Sequence, residues 1–218
     1  NAMQAVIDTI RPGVTEVDLR RAYKAAVGEQ DAEFEFFNCP AGPRVGLFFP
    51  PSGYRLQPGD NGMFDGGCIY NFYHADTGMC YHIGEPDSDF VRMFEAMVKT
   101  MAAGLEMLRP GVLPSQVYQV MAEAQVKNHG ALAGHFGHGI GLEPRDIPLI
   151  SSIYAPPPAK AGEPVINEDP PLEPGVVLCI ETPFRVFEGK AVHMEYTLVI
   201  TERGWENIVP VERQLLVL

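Results

Sequence analysis

GHFGHGIGLE, residues Gly134 to Glu143, is the stretch of this chain that decides the fold. Glycines on both sides of His138 allow the backbone to approach a crowded centre and leave the imidazole room to reach an ion. His135 lies three residues earlier and, if this run is a strand, is expected to point to the opposite face. The string therefore marks His138, and not His135, as a candidate metal ligand.

Two acids stand in apolar, strand-like stretches further along the chain. Glu181 ends the run LEPGVVLCIE, and Glu195 lies within VHMEYTLVIT. The predicted strands are Val176 to Thr182 and Val192 to Thr201. An ionised carboxylate among valine, leucine and isoleucine is costly unless it is paired or bound to a metal. Both acids are therefore expected to share a counter-charge.

Asp65 and Asp76 occupy two further predicted strands, Gly62 to Tyr70 and Phe72 to Ile83. If these strands form a hairpin that turns at Tyr70-Asn71, the two aspartates lie directly opposite each other and point to one face. Carboxylates so close repel each other unless a cation compensates them. The hairpin predicts a second pair of converging acids.

Together, the candidates comprise four carboxylates and one imidazole: Asp65, Asp76, His138, Glu181 and Glu195. This set suits a pair of divalent first-row metals, and Mn, Co, Fe and Zn all accept it. Two such ions a few ångströms apart can activate a bridging water for hydrolysis. The sequence thus indicates a dinuclear metallohydrolase.

An internal repeat divides the chain into two related halves. Residues 11–23 read RPGVTEVDLRRAY and residues 109–121 read RPGVLPSQVYQVM. Thr15 and Ser115 are predicted N-caps of the helices that follow, and Asp18 completes a capping box with Thr15. A long helix from Ser88 to Leu108 carries a methionine-rich apolar stripe that predicts core packing.

The remaining pattern favours an α+β fold, with helices packed on one face of a sheet. A further strand is predicted at Glu33 to Phe37, and the proline-rich stretches at residues 48–59 and 154–174 are predicted loops. No apolar run approaches the roughly 18 residues of a membrane-spanning helix. The formal net charge of −12 opposes binding to nucleic acid or to an anionic membrane.

The four cysteines form no C-x-x-C pair, and each lies beside apolar residues. They are predicted to be buried free thiols in a reducing, cytoplasmic compartment. A homodimer is the default expectation for the oligomeric state.

From about Ile10 to Thr201 the chain resembles the pita-bread metallopeptidases, which include methionine aminopeptidase, Xaa-Pro aminopeptidase and prolidase. The matching features are the Asp-x10-Asp pair with a trailing GEP, the string GHGIGLE, the string LEPGxVxxIE and the late glutamate. The resemblance implies a pita-bread (creatinase/aminopeptidase-like) fold, in which two pseudo-symmetric halves pack helices on a curved antiparallel sheet.

The same resemblance implies a role for each ligand. Asp65 would chelate one ion, and Asp76 and Glu195 would bridge both ions. His138 would bind the second ion, and Glu181 would complete its shell and act as the acid/base group. The implied substrate is a peptide, in particular an Xaa-Pro dipeptide or peptide, or another small amide.

Several positions depart from the family pattern outside the predicted ligands. Pro144-Arg145-Asp146 stands where the family has Val-His-Glu, and residues 47–56 contain no histidine where the family has one. His193 replaces an arginine before Glu195, and Gly78-Met79-Cys80 replaces Thr-Arg-Thr after Asp76. Arg145 could clamp a carboxylate bidentately, so Arg145 and His193 are candidates for recognising a small acidic substrate. The alternative is that Arg145 pairs with Asp146 or Glu143 on a surface loop.

These departures keep two alternatives open. One is a non-peptidase enzyme, a lyase or amidohydrolase acting on a small organic acid. The other is an inactive pseudo-enzyme that binds peptides. For the domain organisation, we expect residues 3–218 to form one pita-bread catalytic domain without the N-terminal accessory domain of the proline-specific relatives. Asn1-Ala2 resembles a tag remnant, and the first helix is expected to be truncated.

Overall fold

The computed structural model describes residues 1–46, 50–129, 135–152, 169–187, 189–209 and 214–218. Most of the predicted loop at 154–174, and residues 47–49 of the stretch without histidine, lie outside these ranges. Four α-helices lie in the described part: α1 (Ala2–Thr9), α2 (Glu16–Gly28), α3 (Ser88–Met107) and α4 (Pro114–His129). No helix in these ranges has both the length and the apolar character needed to cross a membrane.

One mixed sheet holds the strands of the described residues, and its spatial order is β1-β2-β3-β7-β6-β4-β5. Strand β8 extends it by pairing with β7, and β9 pairs in parallel with β3, whereas the other pairings are antiparallel. The strands are β1 (Glu33–Asn38), β2 (Asn61–Tyr70), β3 (Tyr73–His82), β4 (His135–Gly139), β5 (Asp146–Ser151), β6 (Val177–Phe187), β7 (Lys190–Thr201), β8 (Gly204–Asn207) and β9 (Leu216–Val217). The two halves of the chain meet where β3 pairs with β7.

The internal repeat is visible in the backbone hydrogen bonds. Gly13 and Gly111 both have φ +86°, and each donates its N–H to the carbonyl of a leucine, Leu56 or Leu172, at 2.8 Å. Each leucine begins an L-x-P-G sequence, which is a second repeat. Its glycines, Gly59 and Gly175, both have positive φ and donate to Ile83 and Ile200, again at 2.8 Å. The predicted relation between the two halves is therefore confirmed at the level of individual contacts.

The helices pack on one face of the sheet over two apolar clusters, as predicted. One cluster joins α3 and α4 to the second half and includes Phe90, Met97 and Met101 of the predicted methionine-rich stripe. The other joins α1 and α2 to the first half through residues such as Leu19 and Phe64. All four cysteines are free thiols, and Cys68 is only half-buried.

Two local predictions differ from the structure. Thr15 caps α2 in the expected capping box with Asp18, but α4 begins at Pro114, so Ser115 lies inside its first turn and is not the cap. Proline fits this position because the N–H that it lacks has no partner within a helix. The hairpin is predicted to turn at Tyr70-Asn71, but Tyr70 pairs with Tyr73, so the two turn residues are Asn71 and Phe72. Both have positive φ, which is the pattern of a type I′ turn.

Candidate metal centre

The predicted acids converge on the face of the sheet opposite the helices. Because the turn is centred on Asn71-Phe72, one residue later than predicted, Asp65 pairs with Gly78 and Asp76 with Gly67. The aspartates are therefore diagonal neighbours and not the direct partners that the sequence predicts. They still point to one face, because their register differs by two residues. Glu181 and Glu195 are direct cross-strand partners on β6 and β7. All four carboxylates are buried.

His138 completes the group from the neighbouring strand β4. Its side chain is 1% exposed, and its Nδ1 lies 2.9 Å from the carbonyl oxygen of Gly139. Since a carbonyl only accepts, Nδ1 carries the proton, and Nε2 presents a lone pair. Nε2 lies 3.7 Å from Asp76 Oδ2 and 3.8 Å from Glu181 Oε1. The sheet thus brings all five predicted ligands together.

The buried polar atoms of this group fit a metal site. Asp65 Oδ1, Asp76 Oδ1 and His138 Nε2 are fully enclosed and have no hydrogen-bond partner among the described residues. Such atoms are costly in a protein interior unless something compensates them. Carboxylate oxygens with an imidazole nitrogen match the preferences of divalent first-row metals. The donor set therefore fits the metal that the sequence implies.

The electrostatics of the centre reflect burial and crowding. Burial, reinforced by Glu195 and Asp76, raises the pKa of Asp65 well above its ordinary value. Burial also raises the pKa of Asp76 to about 6. For Glu181, burial favours the protonated form, but the hydrogen bond from His135 and the nearby imidazoles outweigh it and lower its pKa to about 2. Burial lowers the pKa of His138, which favours the neutral ring that a metal requires.

A cavity of about 580 Å³ opens over these side chains. Asp65, Asp76, Glu181 and Glu195 form its floor, and the rest of the lining carries both signs of charge: Glu35, Phe36, Asn38, His135, Glu143, Pro144 and Arg145. The Arg145 side chain is 61% exposed, and its Nη2 lies 3.7 Å from Glu181 Oε1. Arg145 is therefore placed where it can meet a molecule entering the cavity.

His193 does not take the place expected of a substrate contact. Its side chain is fully buried and is absent from the described cavity lining. Its Nδ1 lies 2.9 Å from the Thr182 carbonyl oxygen, and its Nε2 lies 2.9 Å from Glu195 Oε1. The ring thus contacts a backbone carbonyl and the acid Glu195, and this burial argues against the expectation that His193 recognises an acidic substrate.

His135 is the residue that the sequence interpretation missed. Its Nε2 lies 3.2 Å from Glu181 Oε1, and its ring lines the cavity. The cause is a register irregularity between His135 and Gly137, which breaks the alternation of side chains along β4. Gly137 and Gly139, the two glycines within β4, were the available signal, since glycine within a strand often marks a bulge.

Comparison with known proteins identifies the family of this chain. The family model described as metallopeptidase family M24 matches residues 1–202. The chain belongs to this family. Its relatives include the probable dipeptidase PepE of Mycobacterium tuberculosis, which is 32% identical over 216 residues covering 94% of this chain and 52% of the relative. The Xaa-Pro dipeptidase of Pyrococcus furiosus is 26% identical, and the match covers 99% of this chain and 59% of the relative.

Solved structures of family M24 agree with the fold. Dipeptidase PepE from Mycobacterium ulcerans superposes with a TM-score of 0.83 at 26% identity, covering 99% of this chain and 56% of that one. The expected pita-bread fold is therefore confirmed. The chain spans about half the length of the curated dipeptidase relatives that it matches.

Proposed function

We propose that this chain is the catalytic part of a dinuclear metal-dependent peptidase that hydrolyses dipeptide-sized substrates. The observation that carries the proposal is the convergence of Asp65, Asp76, His138, Glu181 and Glu195 around buried atoms without hydrogen-bond partners among the described residues. Membership of family M24 supports the metal-dependent reading, and the relatives named as dipeptidases support the substrate size.

In this proposal, Asp65 would hold one ion, His138 and Glu181 would hold the other, and Asp76 and Glu195 would be shared between them. Divalent ions supply Lewis acidity when bound, which lowers the pKa of water and polarises a carbonyl group. The residues themselves fix where this chemistry occurs, because all five side chains project from neighbouring strands of one rigid sheet. Manganese, cobalt, iron and zinc all suit the donor set.

Glu181 is the proposed proton carrier. Its Oε1 lies within reach of both the His135 imidazole, at 3.2 Å, and the Arg145 guanidinium, at 3.7 Å. These groups favour the ionised carboxylate, so Glu181 can accept a proton from the attacking water. The same oxygen can then deliver that proton to the leaving nitrogen.

The charges around the cavity suit a zwitterionic dipeptide. Arg145 offers a planar fork for a carboxylate, and His135 stands beside it. Glu35 and Glu143 line the same cavity and could attract an ammonium group. A volume of about 580 Å³ lies in the usual range for small-molecule pockets. The substrate would therefore carry a free carboxylate close to the scissile bond.

Arg145 also motivates a second candidate function. In place of the family's histidine it provides a fixed positive charge, which would serve equally to hold a small organic acid. A lyase or amidohydrolase acting on such an acid is the alternative. The free cysteines support a reducing, cytoplasmic setting for either activity.

The test is metal content followed by turnover. The purified protein is dialysed against Mn²⁺ or Co²⁺, with a chelator-treated sample as control, and its metal is measured by elemental analysis. We expect about two ions per chain and metal-dependent cleavage of dipeptides, including Xaa-Pro dipeptides. Two ions without cleavage of any dipeptide would favour the alternative function or the inactive peptide-binding protein. Retention of no metal would overturn the proposal.

A further inference from the structure

The orientation of His193 matches that of the predicted ligand His138. Both rings are buried, and each places Nδ1 at 2.9 Å from a backbone carbonyl, Thr182 for His193 and Gly139 for His138. Metal-ligating histidines commonly donate their other ring N–H in this way, which fixes the tautomer and aims the free nitrogen at the ion. Nε2 of His193 is aimed into the acids, as is Nε2 of His138.

The neighbours of His193 Nε2 form a ligand group of their own. One potential ligand atom from each of Asp65, His193 and Glu195 lies within 4.8 Å of the other two, and all three residues are buried. With the proton of the neutral ring on Nδ1, the Nε2 lone pair faces Glu195 Oε1 at 2.9 Å. A lone pair and a carboxylate oxygen at this distance repel each other unless a proton or a metal ion lies between them.

The internal repeat gives His193 the position of a ligand. Counting from the isoleucines that accept hydrogen bonds from Gly59 and Gly175, Asp76 precedes Ile83 by seven residues, and His193 precedes Ile200 by seven. The same anchors relate Asp65 to Glu181, since each follows its glycine by six residues. His193 is therefore the counterpart of Asp76 in the second half of the molecule.

Gly78 makes room for the ring beside Asp65. Gly78 is the direct cross-strand partner of Asp65, and a Cβ placed on it would lie 2.5 Å from His193 Nε2 and 2.7 Å from Cδ2. Any side chain at position 78 would displace the imidazole. The two departures from the family pattern at positions 78 and 193 are thus a matched pair in space.

We propose that His193 is a sixth protein ligand of the metal centre, giving Nε2 to the ion held by Asp65. The proposal rests on the metal-dependent function above and goes beyond it by assigning one nitrogen ligand to each ion. Replacing an all-oxygen protein shell with one that contains imidazole shifts the preference of that position from Mn²⁺ towards Co²⁺, Fe²⁺ and Zn²⁺.

The experiment is proton NMR of the Co²⁺-loaded protein. A histidine bound through Nε2 keeps its Nδ1–H, which gives a strongly shifted, solvent-exchangeable resonance beside paramagnetic cobalt. We expect two such resonances in the wild type, from His138 and His193. His193→Gln should lose one of these resonances and retain the other. Of its two cobalt ions, the more weakly bound one should also have a higher Kd than in the wild type. The expected increase is at least roughly 10- to 100-fold, since even outer-shell partners contribute that much to metal affinity.

His82→Gln is the matched control. His82 is also buried and also has Nδ1 2.8 Å from a backbone carbonyl, that of Gly84. It packs against Phe90 at the end of β3, six residues beyond Asp76, and does not line the cavity over the metal centre. This variant should keep both resonances. A wild-type protein that holds two cobalt ions and cleaves dipeptides but shows a single resonance would overturn the ligand assignment and leave the proposed function standing. A protein that holds no cobalt would overturn both. Should His193→Gln fail to fold, the wild-type count alone decides.

Discussion

Asp65 and Asp76 are diagonal neighbours across β2 and β3, and each faces a glycine, Gly78 and Gly67 respectively. This offset opens space on the sheet surface beside each carboxylate, because neither cross-strand partner has a side chain. At Gly78 the imidazole of His193 occupies the space, and at Gly67 the ring of Phe36 does. The acids therefore converge within a packed surface that excludes other side chains, which suits a site built for small ions.

Asp76→Asn should lower metal content and activity together. An amide lacks the second anionic oxygen that a bridging ligand needs, so we expect about one ion per chain or fewer and at least about a 10-fold loss of kcat/KM. Elemental analysis and dipeptide hydrolysis measure the two effects. Asp146→Asn, which alters an exposed acid at the start of β5, is the control and should change neither. Unchanged metal occupancy in Asp76→Asn would contradict the bridging role.

The metal-free protein should become less stable as the pH rises through the titration of these acids. The folded-state pKa of Asp76 is raised from 3.8 to about 6 by burial, and that of Asp65 is raised too. An acid whose pKa is higher in the folded than in the unfolded state contributes stability that is fully present below the unfolded-state pKa. This contribution is lost as the pH rises through the folded-state pKa. For Asp76 the upper limit is about 3 kcal/mol between pH 4 and pH 7.

Urea unfolding with a chelator, at pH 4.5 and pH 7, measures this effect. Because the asparagine of Asp76→Asn carries no charge, the variant should gain stability relative to the wild type as the pH rises. Adding a divalent metal should reverse this trend and make the wild type the more stable of the two proteins, since the ion stabilises the ionised acids. An Asp76→Asn difference that is equal at both pH values would count against the raised pKa.

Arg145→Ala should raise KM for dipeptides with a free carboxylate. Arg145 lines the cavity, and its side chain is 61% exposed, so its guanidinium is accessible to an incoming anion. We expect a loss of about 1.5–3 kcal/mol in binding, equivalent to roughly 10- to 100-fold in KM. The sharpest comparison uses the same dipeptide with an amidated C-terminus, which has no carboxylate for Arg145 to bind. For this substrate the wild type should have a high KM, and Arg145→Ala should have a similar one. Arg203→Ala, an exposed arginine in the turn before β8, is the control. An unaltered KM would assign Arg145 to a structural role.

Much of the fold and of the centre was predictable because it depends on local chemistry. Four strands can be recognised in the sequence as apolar runs that contain an acid, namely those of Asp65, Asp76, Glu181 and Glu195. The RPGV repeat marks the two halves. The sequence holds a second signal of the same kind, since the L-x-P-G sequences at Leu56 and Leu172 make the same hydrogen bonds in each half. That repeat would also have aligned His193 with Asp76.

What could not be predicted depends on register and burial. Counting alternate residues places His135 on the wrong face, because a bulge in β4 shifts the period that the counting assumes. His193 resembles a substrate contact in the sequence, whereas its burial follows from the packing of β7 against Gly78. The hairpin register depends on positive φ angles at Asn71 and Phe72. Phenylalanine rarely adopts positive φ, so the sequence does not indicate a turn at this position. The assignment of residues 3–218 to one domain stays a prediction.

The two repeated helix starts offer a paired test of stability. In α2, Thr15 Oγ1 accepts from the Asp18 N–H at 3.1 Å, and the Asp18 carboxylate accepts from the Thr15 N–H at 3.1 Å. Thr15→Ala removes the first of these bonds and should lower the free energy of unfolding by about 1 kcal/mol. Urea denaturation of the metal-loaded protein measures the change.

Ser115→Ala is the matched control at the equivalent point of the second repeat. Its backbone N–H donates to Asp169 Oδ1 at 3.1 Å, a contact that alanine retains, and the Gln116 side chain accepts from the Leu113 N–H at the start of α4. The serine hydroxyl is therefore not needed as a cap, and the substitution should change stability by less than about 0.5 kcal/mol. If Ser115→Ala cost as much as Thr15→Ala, the helix would begin at Gln116, two residues later than the structure places it, with Ser115 as its cap.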